Sequence, residues 1–413
     1  MSQPEANQQK RVLIALYNMG GPADQESVEP FLQALFTDPD LLDIPFGRLL
    51  QNFVAGKIIK KRLHEVKERY NLMGGGSPQL PITRNVAECL STALPADPRG
   101  ESLFSTEARP LADRPFHIVD IVPLFRYCEP RAKTLLADCV AKGAQELWLL
   151  SQYPHCARAT TGTSLREVGL EQHSDARFAG VTIRTFSGYG DEPAFLDLWK
   201  GRLEQAWAQL PEGRRHLLIS AHNLPLSYVA DGDPYPLQIR RTAQEVTRRL
   251  GWHETSDWTL CWQSAVGPVR WMQPTTEQTI ARLAQQGIEH VLVWPLAFVS
   301  DHIETLVEID VEYAAMAKQL GIQTFQRVKN FDADPDFVSL LTSIVTRGAR
   351  DLQKNSDSPL LRDLAQRPAG PYCASQPAGC LCANYYLSGR QGLERGTAFA
   401  RVAPKNPSGP KKS

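Results

Sequence analysis

The run Phe298–Glu308, FVSDHIETLVE, sets one histidine among three acids. Asp301, Glu304 and Glu308 are spaced i, i+3, i+7, so an α-helix aligns all three along one face. Like charges in a row cost energy unless a cation or a proton relieves them. A solvated acidic face is the plain reading, but a position just after a strand, beside His302, favours chemistry. A second run, Ile219–Pro225, carries His222 just past the apolar part of another strand. A neutral imidazole facing carboxylates accepts protons or ligates a divalent metal, so the pair to expect is His222 opposite Glu304. Of the eight cysteines, Cys373, Cys380 and Cys382 crowd into a polar, proline-rich stretch with little core to fill. Iron–sulfur cluster ligation, zinc ligation and plain thiols are the open readings there. Two glycine loops, Asn18–Pro22 (NMGGP) and Gly74–Pro78 (GGGSP), lack both the P-loop lysine and the GxGxxG spacing. They read as turns, and nucleotide binding is disfavoured.

These residues need elements to hold them. Buried-strand runs fall at Val12–Asn18, His117–Leu124, Glu146–Gln152, Thr182–Ser187, His216–Ser220, Thr259–Gln263, His290–Leu296 and Thr324–Val328. Helical patterns separate them, among them Glu129–Lys142, Glu192–Gln209, Pro236–Leu250, Thr275–Gln286 and Val307–Leu320. The alternation predicts parallel sheets flanked by helices in two similar α/β halves, changing over near Ser187–Glu192. Residues 94–115 read as a surface loop, 353–372 as a linker, and the final APKNPSGPKKS as disordered. The segment Asp38–Arg62 mixes Leu, Ile, Phe and Val with Lys and Arg at helical spacing. It is either a packed helix pair or an apolar lip for a greasy ligand or a membrane surface.

The 413 residues suit two to three domains, and the 45 basic and 45 acidic side chains cancel. Neutrality argues against a nucleic-acid partner. The longest apolar run, Val291–Val299, is far short of the ~20 residues of a membrane span, and no secretory leader opens the chain. A cytoplasmic protein is expected, and its reducing compartment argues against structural disulfides.

Seven segments resemble the ferrochelatases, which insert ferrous iron into a porphyrin: LYNMGGP, LMGGGSP, PLFRYCEP, SQYPHCARATTGTS, ISAHNLPLSYVADGDPYP, QSAVGPVRWMQP and FVSDHIETLVEID. They appear in family order between about residues 11 and 330. The resemblance implies two Rossmann-like domains with parallel four-stranded sheets and a porphyrin cleft between them. Its domain plan is a disordered N-terminus over 1–10, a first domain with a porphyrin-facing lip over 11–187, and a second over 188–329. A helix over 330–352 packs on the first domain, followed by a cysteine-bearing extension over 353–395 and a disordered tail over 396–413.

His222 and Glu304 match the pair facing the porphyrin centre, as catalytic residues and metal contacts, with Glu308 and Asp301 as the proton or metal path behind. Met19, Arg126, Tyr127 and Tyr153 match porphyrin-pocket positions. Met19 resembles the protoporphyrin-using branch more than the coproporphyrin-using one, which tends to carry Tyr there. Asn71-Leu72-Met73 replaces the arginine some relatives have before GGGSP, which passes the propionate contact to Arg126. The substrates implied are protoporphyrin IX and ferrous iron. The cofactor implied is a two-iron, two-sulfur cluster on Cys156, Cys373, Cys380 and Cys382, although in the animal pattern the first ligand aligns nearer Arg158. Monomer and homodimer both stay open, as does peripheral contact with the inner membrane. The competing functions are a coproporphyrin or other type II chelatase, and a non-catalytic haem or metal sensor on the same scaffold.

Overall fold

The computed structural model describes residues 9–41, 48–94, 104–105, 115–186, 188–267, 269–354, 360–365 and 386. Its strands are β1 Lys10–Asn18, β2 Phe104–Ser105, β3 Phe116–Phe125, β4 Glu146–Ser151, β5 Thr182–Phe186, β6 Arg215–His222, β7 Trp258–Gln263, β8 His290–Pro295, β9 Thr324–Arg327 and β10 Leu361–Asp363. All eight strands expected from the apolar runs are present, and the α/β class holds. One sheet has the order β10-β5-β4-β1-β3-β2 and the other β7-β6-β8-β9.

The central strands are parallel, Ile14 lying between Ile121 and Trp148 in register. Every residue of β4 and β8 is buried, as strands covered by helices on both faces require. A single apolar cluster runs under both sheets. It takes Ile14 and Trp148 from the first, Ile219 and Trp294 from the second, and Trp199, Phe337 and Leu341 from the helices between.

Several expectations need correction. The first sheet has six strands rather than four. The 94–115 stretch contributes β2, parallel to β3. The 353–372 linker contributes β10, which runs antiparallel along β5 and pairs Leu361 with Phe186. These two strands are too short to leave a periodic signature. The helix Pro335–Lys354 packs mainly on helix Gln79–Ala93 and β5 of the first half, as expected, and also touches helix Pro193–Gln209 of the second. Among the described residues the 38–62 segment yields one long helix, Arg48–Asn71, rather than a pair. Its Ile59, Val66 and Tyr70 are buried against helix Val28–Phe36, while Leu50 and Phe53 stay exposed. Among the described residues no helix is long and apolar enough to cross a membrane. The expected disorder at the two ends of the chain, and Cys373, Cys380 and Cys382, lie outside the described residues.

Candidate active site

His222 is the last residue of β6, and Glu304 opens a helix after β8, the strand hydrogen-bonded alongside β6. Open α/β sheets bind ligands at such carboxyl ends. His222 Nδ1 lies 3.3 Å from Glu304 Oε2, with the two side chains 38% and 24% exposed. His302 Nε2 reaches the same oxygen at 3.2 Å, while its Nδ1 faces the Ser300 carbonyl at 3.1 Å. Both His302 nitrogens thus face oxygens. Both bonds form together only when the ring carries two protons or Glu304 carries one, so the cluster has room for a proton.

The helix Glu304–Tyr313 is wound as a π-helix and continues as an α-helix over Ala314–Gln319. Glu304 and Glu308, four residues apart, share one face of this winding. The three-acid helical face anticipated for Asp301, Glu304 and Glu308 is reduced to these two. Asp301 lies ahead of the helix and is engaged elsewhere. Its Oδ1 accepts from Arg327 Nη1 at 2.8 Å, Asn330 Nδ2 at 2.9 Å and Thr305 Oγ1 at 3.1 Å. Glu308 is buried, and its Oε2 accepts from Gln263 Nε2 at 3.1 Å and Ser264 Oγ at 2.5 Å. Ser264 holds a left-handed φ of 65°, the kind of local strain that persists where surrounding structure demands it.

The charges are set by these contacts. Burial works against a charged His222, but the Glu304 carboxylate and, further off, Glu308 outweigh it and raise its proton affinity. Burial likewise opposes ionisation of Glu304, yet His222 and His302 hold it well below the usual carboxylate range. Glu308 moves the other way, raised by burial and then by the Glu304 charge. One acid in the helix is therefore ionised beside a basic imidazole, and the next keeps its proton more tightly. Tyr70, Tyr153 and Tyr235 surround Glu304, their hydroxyls made harder to ionise by burial first and the Glu304 charge second. Tyr70 and Tyr235 were not anticipated as site residues, and His302 was noted beside the acidic run without a role. In sequence the tyrosines look like ordinary core aromatics, although Tyr235 in DPYP lies inside the histidine segment.

Met19 and Tyr127 end neighbouring strands, Tyr127 N donating to Met19 O at 3.1 Å. Both join the apolar cluster of the lip helix, together with Ile303 from the second half. Gly20 makes the turn after Met19 at φ +84°, where a Cβ would lie 2.4 Å from Cys128 Sγ. The two glycine loops pack on each other, Ser77 N donating to Pro22 O at 2.7 Å, in keeping with their reading as turns. Tyr153 is half-buried, and its hydroxyl has no hydrogen-bond partner among the described residues.

Arg126 is turned inward. Nη2 lies 2.8 Å from Asp38 and Nη1 3.4 Å from Glu167, and Nε donates to Thr163 Oγ1 at 2.8 Å. The buried Asp38 carboxylate needs this compensation, and the guanidinium supplies it. Cys156 is buried, its backbone N–H donating to Gln238 Oε1 at 2.7 Å. No group of three or more metal-ligating side chains occurs among the described residues by the geometry a metal ion needs.

Two mainly parallel sheets on one core, with two histidines and a carboxylate gathered at strand ends, define an α/β protein with its polar cluster where such folds bind ligands. The ferrochelatase family pattern matches residues 12–349. Ferrochelatase from Synechococcus sp. (strain RCC307) is 36% identical over 337 residues, covering 81% of this chain and 82% of that one. Ferrochelatase from Geobacter sp. (strain M21) is 35% identical over 342 residues, covering 82% and 99%. Among solved structures, SirB from Bacillus subtilis with Fe3+ aligns over 84% of this chain and 98% of its own, with a TM-score of 0.47 and 10% identity. The chain belongs to the ferrochelatase family: it is a lyase of haem biosynthesis that inserts iron into a porphyrin.

Proposed function

We propose that the porphyrin is protoporphyrin IX, and that His222 accepts its pyrrole protons beside an ionised Glu304 that shares this role or meets the ferrous ion. The observation that carries the reading is the convergence of His222 Nδ1 and His302 Nε2 on one Glu304 oxygen. Insertion must remove two N–H protons and strip water from a divalent ion. A base and a carboxylate for the cation, both partly exposed, supply both needs. Met19, Tyr127 and Tyr153 line the proposed pocket, and the unpartnered Tyr153 hydroxyl supports a polar contact with the bound ring. Arg126 supports it indirectly, through the Asp38 carboxylate that also accepts from Tyr127 at 2.8 Å. Asp301 serves the proposed path by keeping Arg327 and Thr305 in place. Met19 supports protoporphyrin over coproporphyrin.

An anaerobic assay with ferrous iron and each porphyrin tests this. Turnover is expected to favour protoporphyrin, and His222→Ala is expected to abolish insertion while porphyrin still binds. Near-normal turnover by that variant would sink the assignment.

The exposed Leu50 and Phe53, with Lys57 Nζ 4.5 Å from the Phe53 ring centre, support a lip that touches a greasy ligand or a peripheral membrane surface of the cytoplasm. A two-iron, two-sulfur cluster on Cys156, Cys373, Cys380 and Cys382 is proposed as well. Cys156 shares one apolar cluster with Leu364 and Tyr386, which flank the other three cysteines in sequence, and the Tyr386 hydroxyl donates to Gln172. A buried thiol near both anchors fits such a ligand set. The cluster would supply a redox-sensitive staple for the C-terminal segment. An iron-to-protein ratio of about two, with visible absorption lost in Cys380→Ser, is expected; a colourless, iron-free, active protein would overturn it.

A further inference from the structure

Glu308 has an unequal pair of oxygens. Oε2 already accepts from Gln263 and Ser264, whereas Oε1 faces a single group, the Tyr313 hydroxyl at 2.8 Å. The same hydroxyl lies 3.2 Å from Glu277 Oε1. A phenol has one proton to donate, so it can serve only one of two carboxylates. The second contact becomes a hydrogen bond only when that acid carries a proton and donates to the phenol oxygen. Because Oε2 is occupied by two donors, a proton on Glu308 belongs on Oε1. The resulting order is Glu308 Oε1–H to Tyr313 Oη, and Tyr313 Oη–H to Glu277 Oε1.

Glu277 ends this chain in water. It is exposed and sits in the first turn of helix Thr276–Gln285, where the helix N-terminus favours its negative charge. A capping box between Thr275 and Gln278 fixes that turn. The other acids near the π-helix are engaged with cations. Glu312 pairs with Arg69 at 2.7 Å, and Asp310 and Asp301 pair with Arg327 at 2.7 and 2.8 Å. Tyr313 is thus a bridge from buried Glu308 to an exposed, ionisable acid.

We propose that Tyr313 and Glu277 form the exit by which protons taken from the porphyrin leave the protein. This deepens the reading of Glu304 and Glu308 as the proton-accepting path and rests on it. In each step the Glu308 O–H bond breaks as its proton passes to the Tyr313 oxygen. The Tyr313 O–H proton passes to Glu277, and water then removes it. The phenol ends neutral, Glu277 returns to its carboxylate, and Glu308 is left ionised to receive the next proton.

Tyr313→Phe keeps the ring among Leu218, Ile280 and Ile309 and removes only the hydroxyl. Glu277→Gln removes the exposed acceptor and does not disturb the core. In anaerobic turnover with protoporphyrin and ferrous iron, Tyr313→Phe is expected to lower kcat about tenfold with both KM values unchanged. Its solvent deuterium isotope effect on kcat is expected to rise, because proton exit now limits the rate. Glu277→Gln is expected to act in the same direction, and the double variant to be no slower than Tyr313→Phe alone. A wild-type kcat and isotope effect in both single variants would overturn the proposal. So would losses that multiply in the double variant, or a loss confined to KM, which would mark a structural role. His222→Ala run in parallel separates the two levels: if it retains turnover, the underlying site reading fails, whereas an inactive His222→Ala beside unaffected Tyr313 and Glu277 variants removes the exit alone.

Discussion

His222 and Glu304 hold each other in opposite charge states. The direction of the His222 shift has a working consequence. A base must be neutral to accept a proton, and the neighbouring carboxylate lifts the pH at which this imidazole becomes neutral. In the ligand-free enzyme the competent form therefore grows as pH rises through a value above the ordinary 6.5 for histidine. Glu304→Gln removes the cause of the lift and leaves burial, which acts the other way. Ring-proton NMR of His222 is expected to titrate above 6.5 in the wild type and below it in Glu304→Gln. Identical midpoints would show that the pair is not electrostatically coupled. His222, Glu304 and Glu308 were legible as chemistry because each follows an apolar strand or lies in the run after one. Tyr70 and Tyr235 were not, since they come near Glu304 only when remote segments close around it, and Tyr313, five residues past Glu308, reads as an ordinary core aromatic.

At the level of elements, long buried strands announced themselves through Val, Ile and Leu, and the parallel sheets followed from their alternation with helices. Winding was a different matter. Nothing in the period of ETLVEIDVEY distinguishes a π-helix from an α-helix, and the side chains along it meet partners far away in sequence: Gln263 and Ser264 on Glu308, Arg69 on Glu312, Arg327 on Asp310. Strand β10 was hidden by its length, three residues in a stretch that otherwise reads as linker. It nevertheless covers the β5 edge, where unpaired N–H and C=O groups would invite another chain. Truncation after Lys354 keeps the whole 12–349 family region but strips that cover. Light scattering is expected to detect concentration-dependent association beyond that of the full chain. Unchanged scattering would mean that the edge is protected by other means.

Across the whole molecule, a net charge of zero concealed how unevenly the charges are placed. Asp38 and Asp40, from the approach to the lip helix, are buried against Arg126 and Arg166 of the first half. Burial, opposed by Arg166, pushes the Asp40 carboxyl up to about 7. From the second half, the Tyr228 hydroxyl points its one proton between the Asp40 and Leu41 carbonyls, 2.9 and 3.0 Å away. Sequence separations of more than 80 residues kept these partners from being read together. With this tie above and an uninterrupted apolar core below, hinging the halves apart would expose buried surface at every step. Under the proposed function the two halves form a stiff host, and most of the deformation on binding is expected in the macrocycle. A guest too rigid to pucker should be held without being metallated, and mechanical softness joins size and charge among the traits by which this enzyme selects what it accepts.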